Sequence, residues 1–305
     1  MKTIKLGNSS LQVPTVAIGC MRMSKLKKSE AQNFIKTAMD EGANFFDHAD
    51  IYGKGESEKI FSDAINMNST IREKIILQSK CGIKPGQYDF SKEYILQSVD
   101  GILKRLKTDY LDAFLLHRPD ALMEPEEVAA AFDILESNGK VRNFGVSNHN
   151  PMQIQLLQKS VKQPIITNQL QFSITNATMI SNGINVNMLN ESAVGRDGNV
   201  LDFCRLNDIT IQPWSPFQFG FFEGVFLGNK KFSQLNKKLS EIAEKYNVSD
   251  TAIALAWILR HPAKMQPVIG TMNTKRLKEC CKAVDIYLTR TEWYEIYCAA
   301  GNKLP

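Results

Sequence analysis

The chain has 305 residues, 43% of them hydrophobic, enough to bury a large core as either two small domains or one barrel with extra segments. Its 37 Lys and Arg against 32 Asp and Glu leave a formal charge of +5, spread along the chain without the basic blocks and interleaved aromatics of a nucleic-acid binder. The start, Met1-Lys-Thr-Ile-Lys-Leu-Gly7, has no apolar h-region, no uncharged apolar run reaches the ~18 residues of a membrane span, and the six cysteines (Cys20, Cys81, Cys204, Cys280, Cys281, Cys298) lack zinc-type spacing, so a cytoplasmic protein with reduced thiols and neither membrane nor nucleic-acid partner is expected.

Residues 4–13 read as a small hairpin with a Gly-Asn turn, suited to plugging one end of a barrel. From about residue 14 onward, short β-branched or apolar runs alternate with longer amphipathic stretches, the pattern of repeated βα units around a parallel sheet. Eight strands are predicted at 14–20, 43–46, 75–80, 111–117, 141–147, 164–170, 209–215 and 266–270. Helices are predicted at 29–41, 91–106, 126–138, 151–159, 232–246 and 274–284, with one more at 290–300 that carries Trp293 and Ile296 on one face. Ser91 is placed to cap a helix start, Asn138-Gly139 to end a helix, and Pro151 to occupy a first turn. Two segments break the repeat: 172–197, rich in Asn and Gly, and 217–231, rich in Phe and Gly. Both follow strand C-termini, the end where barrel enzymes build their sites, and long loops there tend to be functional.

Polar residues gather at those same strand ends, where packing alone would be satisfied by Val, Ile or Leu. Strand two ends in Asp47, with Tyr52 five residues later; strand three ends in Lys80 and strand four in His117. Strand five ends in Ser147-Asn148, strand six holds Asn168-Gln169, and strand seven ends in Trp214-Ser215. Taken singly, each has a bland reading: a turn aspartate, an amphipathic tyrosine, a strand-end lysine, a loop histidine. Together they suit delivery of a proton to a carbonyl oxygen. A lysine ammonium within about 4–6 Å is expected to lower the phenol pKa by about 1–3 units, Asp47 to hold that lysine charged, and His117 to position the substrate oxygen. Cys81 is expected to be a buried apolar side chain, and His48 to point into the surrounding loop.

The stretch from Asn44 to Gly53 (NFFDHADIYG), with Gln78-Ser-Lys80, Phe114-Leu-Leu-His117 and Phe144-Gly-Val-Ser-Asn148, resembles the aldo-keto reductase superfamily over essentially the whole chain. Met21-Arg22-Met23, Trp214-Ser-Pro-Phe217 and the closing Trp293 helix resemble its bacterial YdhF-like oxidoreductase branch. The resemblance implies a (β/α)8 TIM barrel with an N-terminal hairpin and an additional C-terminal helix, forming a single domain over 1–305. It implies reduction of an aldehyde or ketone by NADPH, with Asp47, Tyr52, Lys80 and His117 as catalytic tetrad and Tyr52 as general acid. Cofactor contacts are implied for Met21, Arg22 and Asp47. Ser147, Asn148 and Gln169 would meet the nicotinamide carboxamide, and Trp214 would stack on its ring. Ser215, Pro216 and Phe217 would lie along the pyrophosphate, and Gly270, Thr271, Arg276, Glu279 and Cys280 near the adenosine phosphate. Arg276 favours NADP(H) over NAD(H), although Gly270 stands where one branch has lysine and Cys280 where asparagine often meets adenine.

Two other classes compete. A nucleotide-sensing subunit, like the potassium-channel β-subunits that also resemble aldo-keto reductases, would keep the same residues without fast turnover. A metal-dependent barrel hydrolase would want several carboxylates and histidines converging on an ion, whereas the strand ends supply one of each. No metal is therefore expected, and neither the oligomeric state nor the particular carbonyl substrate is written in the residues.

Overall fold

Eight short runs dominated by β-branched, aromatic and leucine side chains form the parallel strands of a closed barrel in the computed structural model, which describes residues 1–186, 188–191, 194–195, 198–221 and 223–302. They are β1 (Ala17–Gly19), β2 (Phe45–Asp47), β3 (Ile76–Cys81), β4 (Ala113–Leu116), β5 (Phe144–Ser147), β6 (Ile165–Gln171), β7 (Thr210–Trp214) and β8 (Val268–Ile269). Each pairs with its sequence neighbours and β8 closes on β1, so sequence order is also order around the barrel. The register sets Gly19 beside Asp47 and Asp47 beside Gln78, bringing the ends of successive strands to one rim.

The hairpin forms as predicted, Thr3–Lys5 pairing antiparallel with Gln12–Pro14. Its Leu6 and Val13 pack on Ala17, Phe45, Ile166 and Val268, so apolar side chains close the barrel floor at the N-terminal ends of the strands. Gly7 makes this approach possible: its φ is +57°, and a Cβ there would stand 2.2 Å from the Ile166 carbonyl oxygen. Pro14 belongs to the hairpin rather than to β1, because its ring and the turn after it end the antiparallel pairing before the barrel begins.

Helices wrap the barrel: α1 (Lys28–Asp40), α2 (Glu56–Ala64), α3 (Lys92–Leu106), α4 (Pro125–Ser137), α5 (Pro151–Leu157), α6 (Val200–Leu206), α7 (Ser233–Tyr246), α8 (Asp250–Leu259), α9 (Thr274–Lys282) and α10 (Arg290–Ala299). The punctuation acts as foreseen. Ser91 Oγ accepts the Tyr94 N–H at 3.4 Å, Gly139 leaves α4 at φ +69°, and Pro151 opens α5 behind an Asn150–Gln153 capping box. The predicted C-terminal helix docks through Trp293, whose ring stacks 4.7 Å from Trp257. Each of the two indoles donates to the other's backbone carbonyl.

Helices α2, α6 and α8 were not among the predicted elements, and neither was the short turn Ser69–Arg72. The segment 172–197 contains a helix at Thr178–Ile184, with residues 187, 192, 193, 196 and 197 outside the described ones. In 217–231, Gln218–Phe219 pairs with Gly224–Val225, and residue 222 lies outside the described ones, as do 303–305 at the end of the chain.

Candidate active site

Asp47 is the last residue of β2, Lys80 the penultimate one of β3, and His117 follows β4, so three adjacent strands present their C-terminal ends together. Tyr52 returns to the same place through a tight turn, Tyr52–Gly55. Gly53 in that turn has φ +60° and packs so closely that a Cβ would meet that of Ser24 at 2.6 Å. Any larger residue would displace the turn that carries the phenol.

Lys80 is fully buried and Asp47 is 2% exposed; their Nζ and Oδ1 atoms are 2.7 Å apart. Lys80 also donates to the His48 carbonyl at 2.6 Å. Asp47 Oδ1 accepts further bonds from Gln78 at 2.7 Å and Gln169 at 3.2 Å, which helps offset the cost of burying its charge. Gln78 and Gln169 also donate to Gln212, Gln212 to Gln266, and Gln266 to the Pro14 carbonyl. A chain of amides therefore runs through the barrel from the carboxylate to the hairpin.

The Lys80 ammonium lies 5.1 Å from the centre of the Tyr52 ring, which meets the His117 ring edge-on at 6.0 Å. Burial pushes the Tyr52 phenol above its usual value, while Lys80 pulls it down. The sequence-based expectation of a net lowering is thus reversed, because desolvation of the phenolate outweighs attraction by an ammonium already shared with Asp47. Burial would lower the Lys80 pKa, but Asp47 and Tyr52 raise it and keep the ammonium charged. His117 is held well below its ordinary value by burial and by the charges of Lys80 and Arg118, so its ring is neutral.

Around the rim, Asn148 Nδ2 donates to Ser147 Oγ at 2.8 Å, Trp214 Nε1 donates to Asn148 Oδ1 at 3.1 Å, and Ser147 Oγ donates to the Gln169 carbonyl at 2.9 Å. The ends of β5, β6 and β7 are thereby joined. Asn148 and Ser215 sit at φ +61° and +52°, strained conformations that mark strand ends bent toward a site. At β8, Arg22 donates to the Gly270 carbonyl at 2.9 Å, and Asn273 caps α9 by accepting the Arg276 N–H at 3.0 Å.

One cavity of about 930 Å³ joins these groups. Asp47, Tyr52 and His117 line it, as do Met21, Arg22, Ser147, Asn148, Gln169, Trp214, Ser215, Pro216, Phe217, Gly270, Thr271, Arg276 and Cys280. Lys80 stands behind this wall, and Glu279, next to Cys280 on α9, is not among the lining residues. Arg118, Tyr88 and Phe221 also line the cavity: Arg118 follows His117, Tyr88 ends the short strand Gln87–Tyr88, and Phe221 comes from the 217–231 segment that breaks the repeat.

His48 does not point into a loop. It is fully buried against Phe61 of α2, ring centres 4.7 Å apart, and burial lowers its pKa to about 3. Cys81 is buried, and burial pushes its thiol well up, as suits an inert apolar side chain. Among the described residues no group of three or more His, Cys, Asp or Glu is arranged to hold a metal ion. No helix of the described residues is long and apolar enough to cross a membrane.

The family model of the Aldo/keto reductase family matches residues 15–299, nearly the full chain and all eight barrel strands. The chain belongs to the aldo-keto reductase family. It is 34% identical to the oxidoreductase YcsN of Bacillus subtilis, the match covering 100% of both chains, and 33% identical to the oxidoreductase YdhF of Escherichia coli, covering 90% of this chain and 88% of that one. These relatives set this aldo-keto reductase in the bacterial YdhF-like branch. It is also 31% identical to a 6-dehydroglucose reductase of Agrobacterium fabrum over 99% of both chains. The crystal structure of the thermostable aldo-keto reductase Tm1743, in complex with the inhibitor epalrestat, superposes with a TM-score of 0.79 at 25% identity, covering 98% of this chain and 100% of that one. This aldo-keto reductase is accordingly an NAD(P)H-dependent oxidoreductase acting on small molecules.

Proposed function

We propose that this aldo-keto reductase reduces an aldehyde or ketone to an alcohol with NADPH, and that Tyr52 delivers the proton. The observation that carries this reading is the convergence of a phenol, a neutral imidazole and a buried Lys–Asp pair on one cavity. The cavity also fits a dinucleotide. It continues from Tyr52 past the indole of Trp214 to the Asn273-capped start of α9, where backbone N–H groups and Arg276 favour phosphate. When bound there, the nicotinamide supplies the hydride.

The protein's own groups do the rest. His117, neutral, offers one ring N–H to the substrate oxygen and fixes it beside the phenol. Tyr52 stays protonated at neutral pH because burial holds its pKa up, so the acid is always loaded. As its proton passes to the developing alkoxide, Lys80 meets the phenolate charge, with Asp47 and the His48 carbonyl keeping the ammonium oriented. Ser147, Asn148 and Gln169 would hold the carboxamide of the nicotinamide and Trp214 its face. Ser215, Pro216 and Phe217 would follow the pyrophosphate. Met21, Arg22, Gly270, Thr271, Arg276 and Cys280 would surround the adenosine end, with Glu279 beside it.

We also take the whole chain to act as one domain, and the protein to be cytoplasmic, where its six free cysteines stay reduced. Titration with NADPH and with NADH, followed by quenching of tryptophan fluorescence, tests the cofactor assignment. Arg276→Ala is expected to weaken NADPH binding about tenfold or more, as loss of a charge-assisted phosphate contact does, and to leave NADH binding nearly unchanged. Equal losses for both nucleotides would refute the role of Arg276, and failure of both nucleotides to bind near millimolar concentration would refute the reductase reading.

A further inference from the structure

Arg118 follows His117 directly, just beyond the rim of β4, and lines the cavity. Its guanidinium carbon lies 5.8 Å from the centre of the Trp214 ring and 5.9 Å from that of Phe221. Those distances are at the outer reach of a cation–π contact. The side chain is half-buried, yet among the described residues no hydrogen bond or ion pair engages its five N–H donors. Desolvating a guanidinium without an acceptor is costly, and a planar donor fork of this kind matches an oxyanion.

The surroundings sharpen the point. Among the described residues lining the cavity, Asp47 is the only acidic one, and its charge is taken by Lys80. The other two cations among the described lining residues, Arg22 and Arg276, stand by the ends of β1 and β8, with Arg22 already tied to the Gly270 carbonyl. β4 and β8 lie across the barrel from one another, four strands apart in either direction. The phosphates of a dinucleotide laid toward α9 therefore leave Arg118 unclaimed, on the side where the carbonyl substrate enters beside His117.

We propose that the substrate of this enzyme is a carbonyl compound bearing an anionic group, a carboxylate or a phosphate ester, which Arg118 binds while His117 and Tyr52 address the carbonyl. The inference rests on the reductase reading and deepens it. Recognition of this kind selects by charge, with Trp214, Phe221 and Tyr88 forming the apolar walls between the two ends of the substrate.

Two matched pairs test it with the NADPH-loaded full chain. Methyl 4-formylbenzoate and 4-formylbenzoate differ in a carboxylate; glyceraldehyde and glyceraldehyde 3-phosphate differ in a phosphate. At least one anionic member is expected to show a kcat/KM about tenfold or more above its neutral partner, mainly through KM, and which pair discriminates tells carboxylate from phosphate. Arg118→Gln is expected to collapse that ratio toward one and Arg118→Lys to restore part of it. Binding without turnover gives an independent reading. Benzoate or phenyl phosphate is expected to quench the tryptophan fluorescence of the NADP-loaded protein at concentrations where benzamide does not, and Arg118→Gln to abolish the difference. Neutral members reduced and bound as well as anionic ones, or discrimination that survives Arg118→Gln, would overturn the proposal. Anion binding that depends on Arg118 in a protein that reduces no aldehyde would uphold the site and refute the reductase reading instead.

Discussion

Replacing Lys80 by methionine removes an ammonium that is fully buried and leaves Asp47 charged at 2% exposure. Breaking a buried pair from one side costs about 3–5 kcal/mol. Here Gln78 and Gln169 still donate to Asp47 Oδ1 at 2.7 and 3.2 Å, so the lower end, about 3 kcal/mol, is expected. The double variant Asp47→Asn/Lys80→Met carries no orphaned charge and is expected to recover most of that loss, ending within about 1–2 kcal/mol of the parent. Urea unfolding followed by circular dichroism at pH 7, with midpoints compared across the cycle, measures the coupling. A single-variant cost below about 1 kcal/mol, or a double variant costing the sum of the singles, would refute the buried pair as the element that holds the lysine in place.

Asp50 gives a pH dependence of opposite origin. Burial and then the neighbouring Glu58 raise its pKa to about 7. The folded state thus holds a proton that the unfolded state releases near pH 4, so stability falls as pH rises from about 4 to about 7. Asp50→Asn is expected to flatten that fall and to raise stability at pH 8 by about 1–2 kcal/mol, discounted for partial exposure, with little change at pH 4. Urea midpoints at the two pH values decide it, and an unchanged pH slope would contradict the burial. Activity should behave differently. With the Tyr52 phenol raised and His117 neutral, kcat for reduction is expected to stay level from pH 6 to 9. A steady-state profile with a limb near 6.5 that persists in Asp50→Asn would show His117 titrating, contrary to its burial.

Much of the barrel was legible because its strands need dense runs of β-branched and aromatic residues. β3, β6 and β7 match their predicted ranges to within a residue at each end. The helices missed failed to advertise themselves for identifiable reasons. α8 is buried almost all round, from Ala252 to Ile258, so its sequence has no polar face and no 3.6-residue period. α2 begins in Gly53-Lys-Gly55, where three successive positive φ values break any helical pattern before Glu56 starts it. The convergence of Asp47, Tyr52, Lys80 and His117 was legible because polar residues stood where strands should end in apolar ones. Arg118 carried no such signal: its importance arises from Trp214 and Phe221, which reach it only when β4 and β7 are on one rim. The rise in the Tyr52 pKa was likewise hidden, since spacing reveals the neighbouring lysine but not how much water the fold removes.

Removal of the Tyr52 hydroxyl tests the assignment of the proton donor most directly. Phenylalanine keeps the ring against His117 and removes only the acid. Single-turnover reduction of an aldehyde by NADPH-loaded Tyr52→Phe, alongside fluorescence titration of NADPH binding, separates chemistry from cofactor affinity. Reduction slowed by about 10²–10⁴-fold with NADPH binding unchanged is the predicted result. Turnover within a few-fold of the parent would contradict Tyr52 as the source of the proton.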